Sequence, residues 1–103
     1  LQRPRPPDLM PTPLTADELA DLVGDLPGWT VAEDRLVRTF SFEDFRAAMA
    51  FLVRIAFEAE TMNHHPEIEN VYNRVTLRLR THDASNRVTA LDAELARRID
   101  KCQ

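Results

Sequence analysis

Three places in this chain carry the same short signature for starting a helix, and they set the order in which everything else can be arranged. Thr15-Ala16-Asp17-Glu18, Ser41-Phe42-Glu43-Asp44 and Thr89-Ala90-Leu91-Asp92 each put a hydroxyl at the N-cap and an acid three residues later. The cap oxygen accepts a backbone N–H that the first turn leaves open, and the acid reaches back to the cap or complements the helix dipole. The first two starts add an apolar staple, Leu14 with Leu19 and Phe40 with Phe45. Helices are therefore expected from about Ala16 to Val23 with Gly24 as the stop, from just after Ser41 to about Asn63, and from about Ala90 to Lys101.

The intervals between the helices read as strand pairs. Trp29 to Ala32 and Leu36 to Phe40 flank a Glu33-Asp34-Arg35 loop, and Ile68 to Tyr72 and Val75 to Thr81 flank a two-residue Asn73-Arg74 turn. That turn implies a register: Tyr72 faces Val75, Ile68 faces Leu79, Glu69 faces Arg78 and Glu67 faces Arg80. Apolar residues then meet on one face and opposite charges on the other, with Asn70 against Leu77 the poorest fit. Pro66 falls opposite Thr81, so His64 and His65 arrive beside His82.

The second helix should carry an apolar arc of roughly 240° at steps of about 100° per residue. Phe45, Ala48, Met49, Leu52, Val53, Ala56 and Phe57 fill one side, and Phe51, Ile55, Ala59 and Met62 widen it. One sheet needs a narrower stripe, so the surplus points to a second helix or a second subunit. In the third helix Leu91, Leu95 and Ile99 form the expected buried stripe, with Ala96 beside them.

Residues 1–13 hold Pro4, Pro6, Pro7, Pro11 and Pro13 and are expected to be an extended or disordered tail before a domain at 14–103. A proline-rich ligand for a recognition domain is the rival reading of that tail. At 103 residues one domain is expected. A formal charge of −4 argues against general attraction to nucleic acid or to an anionic membrane. No apolar run approaches the ~18–20 residues of a membrane span. Cys102 is the one cysteine and cannot form an internal disulfide, and the opening residues show no signal-peptide apolar region. A cytoplasmic location is the expectation.

All three histidines lie between Glu58 and His82: His64 and His65 in Glu60-x-x-x-His64-His65-Pro66, and His82 in Thr81-His82-Asp83. Four readings of this cluster compete. Incidental surface histidines would suit one imidazole better than three. A zinc site has enough donors, but the chain lacks His-Glu-x-x-His spacing, and consecutive helical histidines would diverge. Nucleophilic catalysis lacks a placed nucleophile, since Cys102 is remote and no serine occupies a nucleophile elbow. Metal-free acid–base chemistry needs only what is present: imidazoles that exchange protons near neutral pH. Glu60 and His64, four residues apart on one helix face, are expected to pair, with the carboxylate holding one imidazole tautomer.

The series Glu60-x3-His64-His65-Pro66-x5-Tyr72-x9-His82-x9-Asp92 resembles the signature of the pterin-4a-carbinolamine dehydratases, known also as dimerisation cofactors of a homeodomain transcription factor. Gly28-Trp29, Phe40-x-Phe42-x-x-Phe45, Asn70-Val71-Tyr72-Asn73 and Leu95-Ala96-x-x-Ile99-Asp100 extend the likeness over about residues 15–101. The resemblance implies an α+β fold, a four-stranded antiparallel sheet with three helices on one face, assembled as a homodimer or homotetramer. It implies dehydration of 4a-hydroxytetrahydropterin to quinonoid dihydropterin, recycling the cofactor of aromatic amino-acid hydroxylases with no metal or organic cofactor. His64, His65 and His82 would be catalytic, with His65 and His82 handling protons and Glu60 bracing His64. Glu60, Asn63, Pro66, Thr81 and Asp83 would shape or contact the pterin. Asn63, Ile68-Glu69 and Ser85-Asn86 depart from common family residues and bear on pocket shape. A non-catalytic scaffold or assembly module acting on a protein partner is the alternative function.

Overall fold

Two of the three expected caps form as expected, and the third shows how the chain chooses among neighbouring candidates. The computed structural model describes residues 11–103, so most of the expected proline-rich tail lies outside the described residues; 11–15 are irregular. Helix α1 spans Ala16–Asp25, with Thr15 and Glu18 in a reciprocal capping box. Gly24 does not stop it; the helix runs one residue further, to Asp25. Helix α3 spans Ala90–Asp100 with Thr89 and Asp92 in the same arrangement. Helix α2 spans Phe45–Met62, and its cap is Asp44, whose carboxylate accepts the Ala47 N–H at 2.8 Å. Ser41 instead ends a strand, and Phe45 is 48% exposed, so the staple with buried Phe40 does not form.

The strands are β1 (Thr30–Ala32), β2 (Arg35–Ser41), β3 (Glu67–Val71) and β4 (Arg74–Leu79), in one antiparallel sheet ordered β1-β2-β4-β3. Leu36, Phe40, Val75, Leu77 and Leu79 point to the helices and are buried. They meet Leu22 of α1, Ala48, Phe51, Ile55 and Ala59 of α2, and Leu95, Ala96 and Ile99 of α3. Phe40 and Phe42 flank Phe51 at ring separations of 4.8 and 4.9 Å. Three helices on one face of a four-stranded sheet is the expected architecture.

Two further details differ from expectation. The α2 residues expected to widen the apolar arc, Phe51, Ile55 and Ala59, are its core stripe. Val53 and Phe57, placed on the main side, are 57% and 71% exposed. The β3–β4 register is also shifted by two: Ile68 faces Leu77, Asn70 faces Val75 and Val71 faces Arg74, so the turn is Tyr72-Asn73. An even shift keeps every side chain on its face. The expected ion pairs survive as diagonals, Glu69 with Arg78 at 2.9 Å and Glu67 with Arg80 at 2.9 Å. Asn70 explains the shift, because its amide donates to the carbonyls of Tyr72 and Arg74 and pins the turn.

Trp29 closes the far end of the core. Its Nε1–H donates to Asp100, which also accepts from Arg38 at 3.0 Å. Gly28 has φ +91, and a Cβ there would lie 2.8 Å from the Arg38 guanidinium, so glycine is required.

The β1–β2 turn is Glu33-Asp34, with φ of 53° and 60°. Both positions lie in the left-handed region, where Asn-Gly is the favoured pair. The double substitution Glu33→Asn with Asp34→Gly should stabilise the chain by about 0.5–1 kcal/mol, because the left-handed strain it relieves exceeds the conformational freedom glycine adds to the unfolded chain, read as a higher denaturant midpoint with unchanged slope.

Candidate active site

The end of α2 creates the first wall of the site. Asn63 takes the left-handed conformation (φ 51°, ψ 43°), and the Asn63 and His64 N–H groups donate back to Glu60 and Ala59 carbonyls. This is a Schellman-type stop with asparagine in the place glycine often takes. It turns the chain so that His64 points inward and His65 lies over the last turn. Pro66 then leads into β3 without continuing the helix.

Glu60 and the histidines pair differently from the sequence expectation. The Glu60 carboxylate meets His65 Nε2 at 2.8 Å, because the left-handed turn at Asn63 brings His65 back over the helix. His64 is wholly buried, and its Nε2 lies 2.5 Å from Asp92 Oδ1. Glu60 therefore braces His65, while Asp92 braces His64. His65 is half-buried; its Nδ1 is shielded and has no partner among the described residues. An unpartnered buried nitrogen costs about 1–3 kcal/mol, a cost that proteins carry at sites that await a ligand.

The segment that carries His82 comes from the end of β4, and it does not line the groove beside His65. Thr81 N–H donates to the Arg87 carbonyl, closing a short loop whose first residues, His82–Ala84, form a 3₁₀ turn. Ser85 and Asn86 follow with φ of 58° each, reversing the chain. His82 is exposed on this turn, and Asp83 is half-buried beside it. Thr81 is fully buried and turns its hydroxyl inward, 2.9 Å from Asp92 Oδ2 and 2.7 Å from the Thr89 hydroxyl. The hydroxyl expected to meet substrate is thus committed to the interior.

The two segments meet on one carboxylate. Asp92 is fully buried; Oδ1 takes His64, and Oδ2 takes the Thr81 hydroxyl and the Thr89 N–H at 2.9 Å each. The proton directions follow from the inventory of each group. Thr81 gives its single hydrogen to Asp92, so it accepts from Thr89, whose oxygen in turn accepts the Leu91 N–H at 3.2 Å. A carboxylate only accepts, so His64 presents Nε2–H to it. Sequence reasoning placed Asp92 as a helix-capping acid and missed its burial. The available signal was the pair Thr81 and Thr89, which can face such an acid only from inside.

Beside His65 a groove of about 430 Å³ runs between α2 and the β3 edge, lined by Glu60, His65, Pro66, Phe57 and Ile68 among others. Among the described residues no three His, Cys, Asp or Glu side chains are grouped as metal ligands, and no helix is long and apolar enough to cross a membrane. Cys102 is partly buried, and that burial, reinforced by Glu58, raises its thiol pKa and makes it a poor nucleophile.

Comparison with known proteins gives the same picture. A family model described as pterin 4 alpha carbinolamine dehydratase matches residues 12–102. A protein of Opitutus terrae bearing the pterin-4-alpha-carbinolamine dehydratase name is 56% identical over 92 residues, covering 89% of this chain and 95% of its own. A Prochlorococcus marinus protein with the same name is 47% identical, covering 86% and 92%. A crystal structure from Brucella melitensis, described as a transcriptional coactivator/pterin dehydratase, superposes with a TM-score of 0.84 at 38% identity, over 88% of this chain and 98% of that one. With the family model spanning nearly all the described residues, the chain belongs to the pterin-4a-carbinolamine dehydratase family and is a hydro-lyase.

Proposed function

We propose that the substrate is a 4a-hydroxytetrahydropterin and that the reaction returns quinonoid dihydropterin and water. This recycles the reduced cofactor of aromatic amino-acid hydroxylases. In the elimination the C4a–O bond breaks, the oxygen leaves as water once protonated, and a ring N–H gives up its proton. Two proton carriers suffice. His65 and His82 serve as these two, one half-buried and held by Glu60, the other exposed on the 3₁₀ turn. His64 has no exposed surface in the closed arrangement. It anchors the corner from which His65 projects, and a substrate reaches it only if its neighbours part. Pro66 and Asn63 shape the approach through the backbone, and Asp83 offers a polar group beside His82.

The observation that carries this is the Glu60–His65 pair with its unpartnered Nδ1. Glu60 sets the tautomer, so the shielded Nδ1 keeps its lone pair and meets a substrate once the groups covering it part. Rapid mixing of the chain with synthetic 4a-hydroxytetrahydropterin should speed formation of the quinonoid absorbance well above buffer. A rate no faster than buffer would leave the scaffold function as the better description.

We further propose that the chain works as a homo-oligomer joined through α2. Val53 and Phe57 leave apolar surface uncovered on α2, and Ile68, which lines the same groove as Phe57, is also about half exposed. Replacing Val53 and Phe57 together with glutamate should convert the sedimenting species to monomer at micromolar concentration. An unchanged sedimentation coefficient would remove this face from the assembly.

A further inference from the structure

We propose that Asp92 is a positioning residue that clamps both proton-carrying segments of the site at once. The proposal rests on the dehydratase function above and goes beyond it by assigning a role to a group that touches neither His65 nor His82. Its two oxygens bond the residue immediately before each of them: Oδ1 holds His64, which precedes His65, and Oδ2 holds Thr81, which precedes His82. One carboxylate therefore sets the separation of two chain segments that are remote in sequence.

Three further features suit it to that task. The carboxylate is wholly buried, so water does not compete for its lone pairs. It sits in the first turn of α3, where the open N–H end of the helix faces it and the Thr89 N–H donates to it. The Thr81 hydrogen that reaches it is directed by one consistent chain, Leu91 N–H to Thr89, Thr89 to Thr81, Thr81 to Asp92. A helix cap alone needs only the Thr89 N–H. The bonds to His64 and Thr81 serve the site.

Asp92→Asn gives a sharp test because it keeps shape and changes donor logic. An amide has one accepting oxygen and one donating NH2. Two donors meet at the Oδ2 side, so the oxygen stays there and the NH2 turns to His64. His64 must then offer a lone pair at Nε2 and carry its hydrogen on Nδ1. Nitrogen-15 shifts of the imidazoles, read with the whole chain, should show Nε2–H at His64 in the parent and Nδ1–H in Asp92→Asn. With 4a-hydroxytetrahydropterin, kcat should fall about 10–100-fold, as when the partner of a ligating histidine is lost, with KM moving far less.

Thr81→Val covers the case in which Asp92→Asn does not fold. It should also lower kcat, through the His82 segment, while leaving the His64 tautomer as in the parent. Thr15→Ala, in the capping box of α1, is the control: it should lower the melting temperature and leave kcat unchanged. Parental kcat in folded Asp92→Asn or Thr81→Val, or an unchanged His64 tautomer in Asp92→Asn, overturns the clamp. If the parent does not act on the pterin, the substrate assignment fails, and the tautomer measurement alone then decides the clamp.

Discussion

Alanine in place of His82 lowers turnover of 4a-hydroxytetrahydropterin by about 10²–10⁴-fold, the contribution of one positioned acid or base. The fold should barely notice. His82 lies exposed on a 3₁₀ turn outside the core, and substitutions at such places usually change stability by about 0.5 kcal/mol or less. His65→Ala should cost a similar factor, with a small added change in stability because it also removes the bond to Glu60. The measurement is kcat from rapid mixing alongside a thermal melt of each variant. Turnover near the parental value in both variants would mean that neither ring moves a proton in the reaction.

Phe51→Ala should be the most damaging single change to the fold. Phe51 is fully buried on the core stripe of α2, wedged between Phe40 of β2 and Phe42 of the following segment. Truncation removes the ring contacts to both and leaves a cavity under the sheet, at a cost of about 3–5 kcal/mol. A domain of this size holds about 5–15 kcal/mol in total. The melting temperature should drop by roughly 12–40 °C, taking about 4–8 °C for each kcal/mol. A fall of only a few degrees would show that α2 repacks to fill the space. The exposed neighbours Val53 and Phe57 make the contrast: within a single subunit their truncation should change stability little.

The fold could be read from the chain because its strongest local signals agree with its packing. Thr15 with Glu18 and Thr89 with Asp92 form the reciprocal caps that their spacing advertises. The staple at Phe40 and Phe45 failed because Asp44 offers a better cap only three residues after Ser41, and β2 then keeps Ser41. The β3–β4 register was misread for a different reason. Alternation fixes which face a residue occupies but is blind to a slip of two, and the charge pairs survive that slip as diagonals. What decides the register is the Asn70 amide bonding the turn carbonyls, and a tyrosine at φ 50°, which no propensity would favour.

The pairing of the candidate site residues was not legible in the sequence. Glu60 and His64 are four apart on a helix, and that geometry alone predicts a pair. The left-handed step at Asn63 ends the helix before His64 and hands Glu60 to His65 instead. Asp92 read as a helix-capping acid and as the last residue of the family series, and neither reading shows that it is buried. Its burial depends on where α3 docks, a property of the assembled layers and not of any short stretch.

The junction at Asp92 also bears on how the protein is made. The ribosome releases α2, both hairpins and all three histidines before α3 exists, because domains emerge from the N-terminal side first. Until α3 leaves the tunnel, His64 and Thr81 have no acid to share. A nascent chain that has not yet released α3 can thus own every imidazole and still lack the joint that aligns them, which ties the onset of a working pocket to the arrival of that helix.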